Sequence, residues 1–123
     1  MGLDISHDAW HGPYSAFHRW RRKIAEVSGL PPLDSMQGFT DNPSDGIKWD
    51  LKHPLTPLLS HSDCDGHINK SKLLPIANAL KDLLPKLEEQ DDGGYIGSYT
   101  DKTRQFIAGC ELAISKNQRL EFS

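Results

Sequence analysis

The stretch His61-Ser62-Asp63-Cys64-Asp65-Gly66-His67-Ile68 is the densest polar cluster in the chain, and a long helical pattern follows it directly. Side chains that can bind a cation recur at positions 61, 63 and 65, and a glycine follows at position 66. Short side chains on alternate residues of a tight loop converge on one point, while the glycine allows the sharp turn between them. The stretch therefore predicts a tight polar loop that leads into a helix.

The spacing over residues 61–72 resembles that of a degenerate EF-hand loop. In an EF-hand the first position is normally Asp, and the twelfth is a Glu that binds calcium through both of its oxygens. These two positions are His61 and Lys72 in this chain, and a lysine there repels calcium. We therefore expect the loop to bind calcium or magnesium only weakly.

Two other interpretations of the loop stay open. It could be a transition-metal site built from imidazole and carboxylate groups, which suit zinc better than calcium. It could also be a plain turn in which Asp63 and Asp65 accept hydrogen bonds from backbone N–H groups.

A second polar cluster lies near the N-terminus, at His7, Asp8 and His11. The two histidines are four residues apart, as in a helical metal-binding pair, but Gly12-Pro13 argues against a helix that runs through them. A metal site would be better supported if this cluster faced the loop at 61–67, because the two groups could then build one or two metal shells. The candidate ligands for a divalent metal are His7, His11, His61, Asp63, Asp65 and His67.

Length and composition predict one globular domain over residues 1–123. Hydrophobic residues make up 37% of the chain and charged residues 25%, which is typical of a folded domain rather than a disordered one. The net charge of -3 gives no overall field that would favour nucleic acid or an anionic membrane. The two cysteines are outside any CxxC pair and no apolar run could span a bilayer, so we expect a cytoplasmic protein with reduced thiols.

The hydrophobic pattern predicts a helix-rich α+β fold with three main helices. The helices are expected over 13–28, from 69 or 71 to 89 with Pro85 kinking or dividing it, and from 100 or 101 to 116. Residues 30–46 are predicted to form a long loop. A small, mostly antiparallel sheet is expected from strands at 2–6, 47–51 and 119–122, with the helices packed on one face.

The start of the first predicted helix is a candidate anion-binding site. A helix N-terminus presents unpaired N–H groups and the positive end of the helix dipole. Trp10 and Tyr14 would provide flat stacking surfaces, and Arg19 and Arg22 would provide forked donors for a phosphate. The alternatives are that Trp10 and Tyr14 are core residues, and that the arginines are an ordinary solvated face.

The chain contains no P-loop, dinucleotide fingerprint or nucleophile elbow. Our leading hypothesis is therefore a non-enzymatic protein that captures a small anionic, nucleotide-like ligand, as a homo-oligomer with sites between its subunits. The alternatives are a divalent-metal protein centred on 61–67, either structural or a metal-assisted phosphoesterase, and an inhibitor of a host protein. For such an inhibitor, the acidic turn at Asp91-Asp92 and the loop at 30–46 would be the binding surfaces.

Four motifs give the chain a family resemblance. They are the opening Met1-Gly2-Leu3-Asp4-Ile5, the loop at 61–68, the helical Thr103-Arg104-Gln105-Phe106-Ile107 and the final Leu120-Glu121-Phe122. Together they resemble a family of small uncharacterised proteins of bacteria and their phages. The resemblance implies a prokaryotic or host cytoplasm and, by analogy of setting, a counter-defence role in which a host signalling nucleotide is sequestered or a host protein is blocked.

Overall fold

The computed structural model describes residues 2–37, 39–40, 46–61, 66–90 and 99–123. Within these residues the chain forms four strands and four helices, and a 3₁₀ turn covers Leu33–Ser35. The strands are β1 (Gly2–Ile5), β2 (Trp10–Pro13), β3 (Gly66–Ile68) and β4 (Leu120–Phe122). The helices are α1 (Tyr14–Val27), α2 (Thr56–Leu59), α3 (Lys70–Gln90) and α4 (Tyr99–Ser115). The predicted α+β class is confirmed.

The four strands form one antiparallel sheet in the order β2-β1-β4-β3. Strands β1 and β2 make a hairpin in which Ile5 lies opposite Trp10. Phe122 of β4 lies opposite both Ile5 and Gly66, so the C-terminal strand joins the hairpin to β3. The N-terminal and C-terminal strands expected from the sequence are therefore direct neighbours at the centre of the sheet.

The strand predicted at 47–51 is wrong. Ile47 makes only an isolated parallel bridge with Met36, and residues 48–51 belong to no strand. The reason lies in burial: Ile47 is 45% exposed and Leu51 is 86% exposed, so the alternating apolar side chains have no core to face. Strands β2 and β3 take its place in the sheet. Strand β2 tolerates Gly12 and Pro13 because it is an edge strand.

Helix α3 is continuous from Lys70 to Gln90, although Pro75 and Pro85 lie inside it. The predicted division at Pro85 is therefore wrong. Both prolines are exposed, whereas a row of buried side chains faces the rest of the core, and this packing holds the helix together across the missing N–H. The buried row is Leu73, Ile76, Ala77, Leu80, Leu83 and Leu87. Helices α3 and α4 run antiparallel, and surface ion pairs from Lys81 to Glu111 and from Glu88 to Arg104 join them.

An aromatic cluster attaches α1 to the sheet and to α4. The rings of Phe17 and Trp20 lie 5.1 and 5.4 Å from the ring of Trp10, and Trp20 lies 5.1 Å from Phe106 of α4. All four side chains are buried in one hydrophobic cluster. The N-terminal end of α1 is thereby held between β2 and α4.

Three predicted segments fall partly or wholly outside the described residues. They are the polar loop at 62–65, the acidic turn at 91–94 and the centre of the long loop at 41–45. The described parts of the long loop are attached to the core through Leu33 and Met36, both of which are buried. Among the described residues, no helix is long and apolar enough to cross a membrane.

Candidate anion site at the start of helix α1

A pocket of about 250 Å³ lies where β2 passes into α1. Three segments form it: the whole of β2, the first turns of α1 and the first turn of α4. The lining residues are Trp10, His11, Gly12, Pro13, Ser15, Ala16, Arg19 and Lys102. The pocket therefore depends on the packing of α4 against the hairpin as well as on the local β2–α1 sequence.

Pro13 leaves the N-terminus of α1 without a side-chain cap. It is the cap residue, with φ -62° and ψ 150°, and it has no side-chain acceptor to offer the N–H groups of the first helical turn. Ser15 and Ala16 of that turn line the pocket. Because these N–H groups and the helix dipole both favour negative charge, this end of the pocket suits an anion.

The indole N–H of Trp10 is a buried donor at the same place. Trp10 is 1% exposed, and its Nε1 has no hydrogen-bond partner within the described residues. A Cβ added at Gly12 would lie 3.6 Å from this nitrogen, so Nε1 faces the side of Gly12, which itself lines the pocket. A buried donor without a partner costs about 1–3 kcal/mol. An acceptor on a ligand would remove that cost.

The charged residues that line this pocket are cations. Arg19 comes from α1, and the Nζ atom of Lys102 lies 5.2 Å from the centre of the Trp10 ring. The described part of the lining includes no carboxylate. The pocket thus combines helix N–H groups, an indole N–H and two long cationic side chains, which is a set of donors for an oxyanion.

His11 lies at the border between this pocket and an acidic group. Its Nδ1 is 2.8 Å from Asp4 Oδ1, and its Nε2 contacts Asp8. Hydrogen bonds to Asp4 and then to Asp8 raise the pKa of His11 above its ordinary value of 6.5. The imidazolium form of His11 therefore persists to a higher pH than in an isolated histidine.

A second pocket, of about 580 Å³, continues along the surface of α1. Arg19 lines both pockets. The second one is lined by Arg19, Arg22, Lys23, Glu26, Leu30, Pro32, Leu33, Asp34 and Tyr99. Asp34 accepts from His18 Nε2 at 3.1 Å and lies 3.4 Å from Arg22 Nη2.

The structure divides the four residues predicted to bind an anion. Trp10 and Arg19 line the first pocket, Arg22 lines the second, and Tyr14 lines neither and is half-buried against the core. The structure supports the alternative that Trp10 is a core residue: it is 1% exposed and its ring packs against Phe17 and Trp20. The expected open stacking surface is therefore wrong, and the Nζ atom of Lys102 lies 5.2 Å from the centre of the ring. Lys102 was missed, because nothing in the sequence brings α4 to this helix end.

The predicted metal ligands of the hairpin lie in a third pocket, of about 640 Å³. His7 and His11 line it, and so do Asp4, Asp8 and Gly66, of which none was a predicted ligand. The N-terminal cluster therefore lies close to Gly66, the first residue of β3. Asp63 and Asp65 lie outside the described residues.

The histidine nitrogens near this third pocket already have hydrogen-bond partners. His7 Nε2 is 2.7 Å from Gln118 Oε1, and His61 Nε2 donates to the carbonyl of His67 at 2.9 Å. The ring of His61 stacks on Phe122, and His67 is exposed. Over the described ranges, no group of three or more His, Cys, Asp or Glu side chains is arranged to hold a metal. Zinc binding stays a prediction, which metal analysis of protein purified without chelators would check.

The hairpin turn that carries His7 and Asp8 is strained. Both residues have φ 61°, and the N–H of Ala9 donates to the carbonyl of Ser6 at 3.3 Å. A tight hairpin with two positive φ angles normally contains Asn-Gly, since other residues pay a steric cost there. The turn aims Asp8 at His11, so its conformation fixes the charges beside the anion pocket.

Burial disfavours the reactive thiolate form of Cys110. It is buried in α4, and burial raises the pKa of its thiol to about 12.

No family model, curated protein or solved structure matches this chain. The resemblance to small bacterial and phage proteins thus stays a prediction, and a function has to be proposed from the pockets themselves.

Proposed function

We propose that this protein binds a small anion, with a phosphoryl group or a similar oxyanion held at the N-terminus of α1. The observation that carries the proposal is the buried indole N–H of Trp10, which has no partner among the described residues and faces the pocket wall at Gly12. Folded proteins pair nearly all of their buried donors, with protein, water or ligand. Because this nitrogen has almost no accessible surface, a bound acceptor can pair with it only when the pocket wall at Gly12 moves aside.

The other groups of the pocket favour the same kind of ligand. The first turn of α1 offers backbone N–H groups, and Arg19 and Lys102 add positive charge. These groups donate hydrogen bonds and accept none, so a phosphoryl, sulfuryl or carboxylate group, which only accepts, is the complementary partner. A pocket of about 250 Å³ is smaller than a typical pocket for a drug-sized molecule and suits one such group.

The proposed role is capture rather than catalysis. The donors around the pocket can bind and orient an oxyanion, which is what capture requires. Cys110 is a free buried thiol, which suits a reducing compartment, and we place the protein in the cytoplasm.

Nuclear magnetic resonance of the tryptophan side chains tests the proposal directly. The protein has three tryptophans, and the other two indole N–H groups already have acceptors: Trp20 donates to Thr103 Oγ1 and Trp49 donates to the carbonyl of Gln37, both at 2.9 Å. In a titration with inorganic phosphate, we expect the Trp10 indole signal to move downfield while the other two stay in place. A Trp10 signal that does not move over the full titration overturns the proposal.

A pair of lysine variants tests the charge of the pocket. Lys102→Met removes the cation beside Trp10, and we expect phosphate affinity to fall about tenfold, as for the loss of one charge-assisted interaction of about 1.5 kcal/mol. Lys86→Met is the matched control, because Lys86 is an exposed residue of α3 that lines none of these pockets. Equal losses of phosphate affinity in the two variants would show that only the net charge of the protein matters, which would contradict a specific site.

A further inference from the structure

We infer that the captured anion is one end of a nucleoside monophosphate, whose phosphoryl group lies at the start of α1 and whose sugar and base lie in the second pocket along that helix. The inference rests on the proposed function, because it assigns the phosphoryl end to the same site. The inference adds the sugar and base of the ligand, called here the body of the ligand, and the residues that recognise them.

Arg19 connects the two pockets into one path. Ser15 and Ala16 lie one turn before it in the first pocket, and Arg22 and Lys23 lie one turn after it in the second. The rise of an α-helix places Lys23 about 12 Å along the axis from Ser15. An inorganic phosphate fills only the first part of this path, whereas an attached sugar and base would extend along the remainder.

The second pocket differs from the first in chemistry. It contains carboxylates, Glu26 and Asp34, as well as cations, and its floor is apolar because Leu33 is buried and Leu30 packs against the core. Tyr99 adds an aromatic ring to the wall. A planar base has both a π-face for such surfaces and amino or imino groups that donate to carboxylates.

Asp34 is held in position to accept such a donor. Its Oδ1 accepts from His18 Nε2 at 3.1 Å, and its Oδ2 lies 3.4 Å from Arg22 Nη2. An ionised carboxylate has about four acceptor positions, so these two contacts orient the group without using all of its capacity.

The test compares whole and partial ligands by calorimetry on the full chain. The ligands are inorganic phosphate, ribose 5-phosphate, adenosine and the four ribonucleoside monophosphates. We expect at least one nucleoside monophosphate to bind ten or more times more tightly than phosphate, with ribose 5-phosphate between them and adenosine weakest. Equal affinities for phosphate and for all four nucleotides overturn the inference and leave the anion site in place.

An aspartate variant separates the body of the ligand from its phosphoryl end. Asp34→Asn is expected to weaken nucleotide binding about tenfold while leaving phosphate affinity unchanged. Asp82→Asn is the matched control, since Asp82 is exposed on α3 and lines neither pocket of α1. A nucleotide affinity that Asp34→Asn does not change overturns the inference. Failure of every phosphorylated ligand to move the Trp10 indole signal removes the proposed function itself, so the two outcomes are distinct.

Discussion

At the scale of the residue, Arg21 joins α1 to the end of α2. Its Nη1 donates to the carbonyls of His61, Leu59 and Leu58 at 2.6, 3.3 and 3.4 Å, and the side chain is 1% exposed. The guanidinium also lies 4.7 Å from the centre of the Phe17 ring. One buried cation thus holds the last carbonyls of α2 and the entrance to the polar loop.

Replacement of Arg21 by methionine should destabilise the fold. Methionine keeps much of the apolar stem but leaves buried carbonyls without their donor, so we expect the free energy of unfolding to fall by about 2–4 kcal/mol in urea denaturation. Arg22→Met changes the neighbouring arginine, which is exposed, and should alter stability by no more than about 0.5 kcal/mol. Similar losses in both variants would contradict a structural role specific to Arg21.

His11 makes the stability of the hairpin depend on pH. Its contacts with Asp4 and Asp8 raise its pKa in the folded state, so its contribution is fully present below the unfolded-state value of about 6.5 and is lost as the pH rises through the higher folded-state pKa. His11→Gln should remove this decline from melting temperatures measured between pH 5 and 9. His67→Gln, at an exposed position of β3, should preserve it. If the melting temperature of the His11 variant falls with pH as steeply as that of the parent protein, His11 is not the source of the pH dependence.

Individual residues show where sequence reasoning stops. Arg21 follows Phe17 by four residues and precedes Ile24 by three, so the helical period already places it on the buried face, although its charge suggests the opposite. Trp10 was correctly associated with the helix end, but the role of its N–H depends on the pairing of β2 with β1. Lys102 could not be found, because its place beside Trp10 results from the packing of α4.

At the scale of the element, the sequence pattern predicted the three long helices and strands β1 and β4, whereas strands β2 and β3 were not predicted. The three long helices lie where the apolar repeat placed them, since each buries a complete face. Strand β3 has three residues and β2 contains glycine and proline, so neither carries a local signal. Their position depends on β1 and β4, whose edges they complete, and this information is not local to either stretch.

Helix α1 combines two functions along its length. Its buried face carries the aromatic cluster, while its start and its exposed face line the two pockets that Arg19 connects. Because the same rigid element positions both pockets, the spacing between them is fixed by the helical rise rather than by loop conformation. A ligand that spans both pockets therefore meets a preorganised surface.

At the scale of the whole molecule, the anion pocket depends on how α4 docks on the hairpin. Gly109 of α4 lies directly against Ala9, which follows the turn between β1 and β2. A Cβ at Gly109 would lie 2.7 Å from the Cα of Ala9, so backbone would have to move to admit it. Lys102 belongs to the same helix, so a shift of α4 also changes its distance from Trp10.

Two substitutions in α4 separate docking from helix stability. Gly109→Ala should raise helix propensity by about 1 kcal/mol. The clash with Ala9 should outweigh that gain, so we expect a net loss of about 1–3 kcal/mol in unfolding free energy and weaker phosphate binding. Ala108→Gly, at the exposed neighbouring position, should cost about 1 kcal/mol through propensity alone and leave phosphate affinity unchanged. Urea denaturation measures the two losses of unfolding free energy, and calorimetry measures the phosphate affinity of each variant.

If Gly109→Ala binds phosphate as tightly as Ala108→Gly does, the pocket does not depend on the docking of α4. That result would also contradict the inclusion of Lys102 in the site.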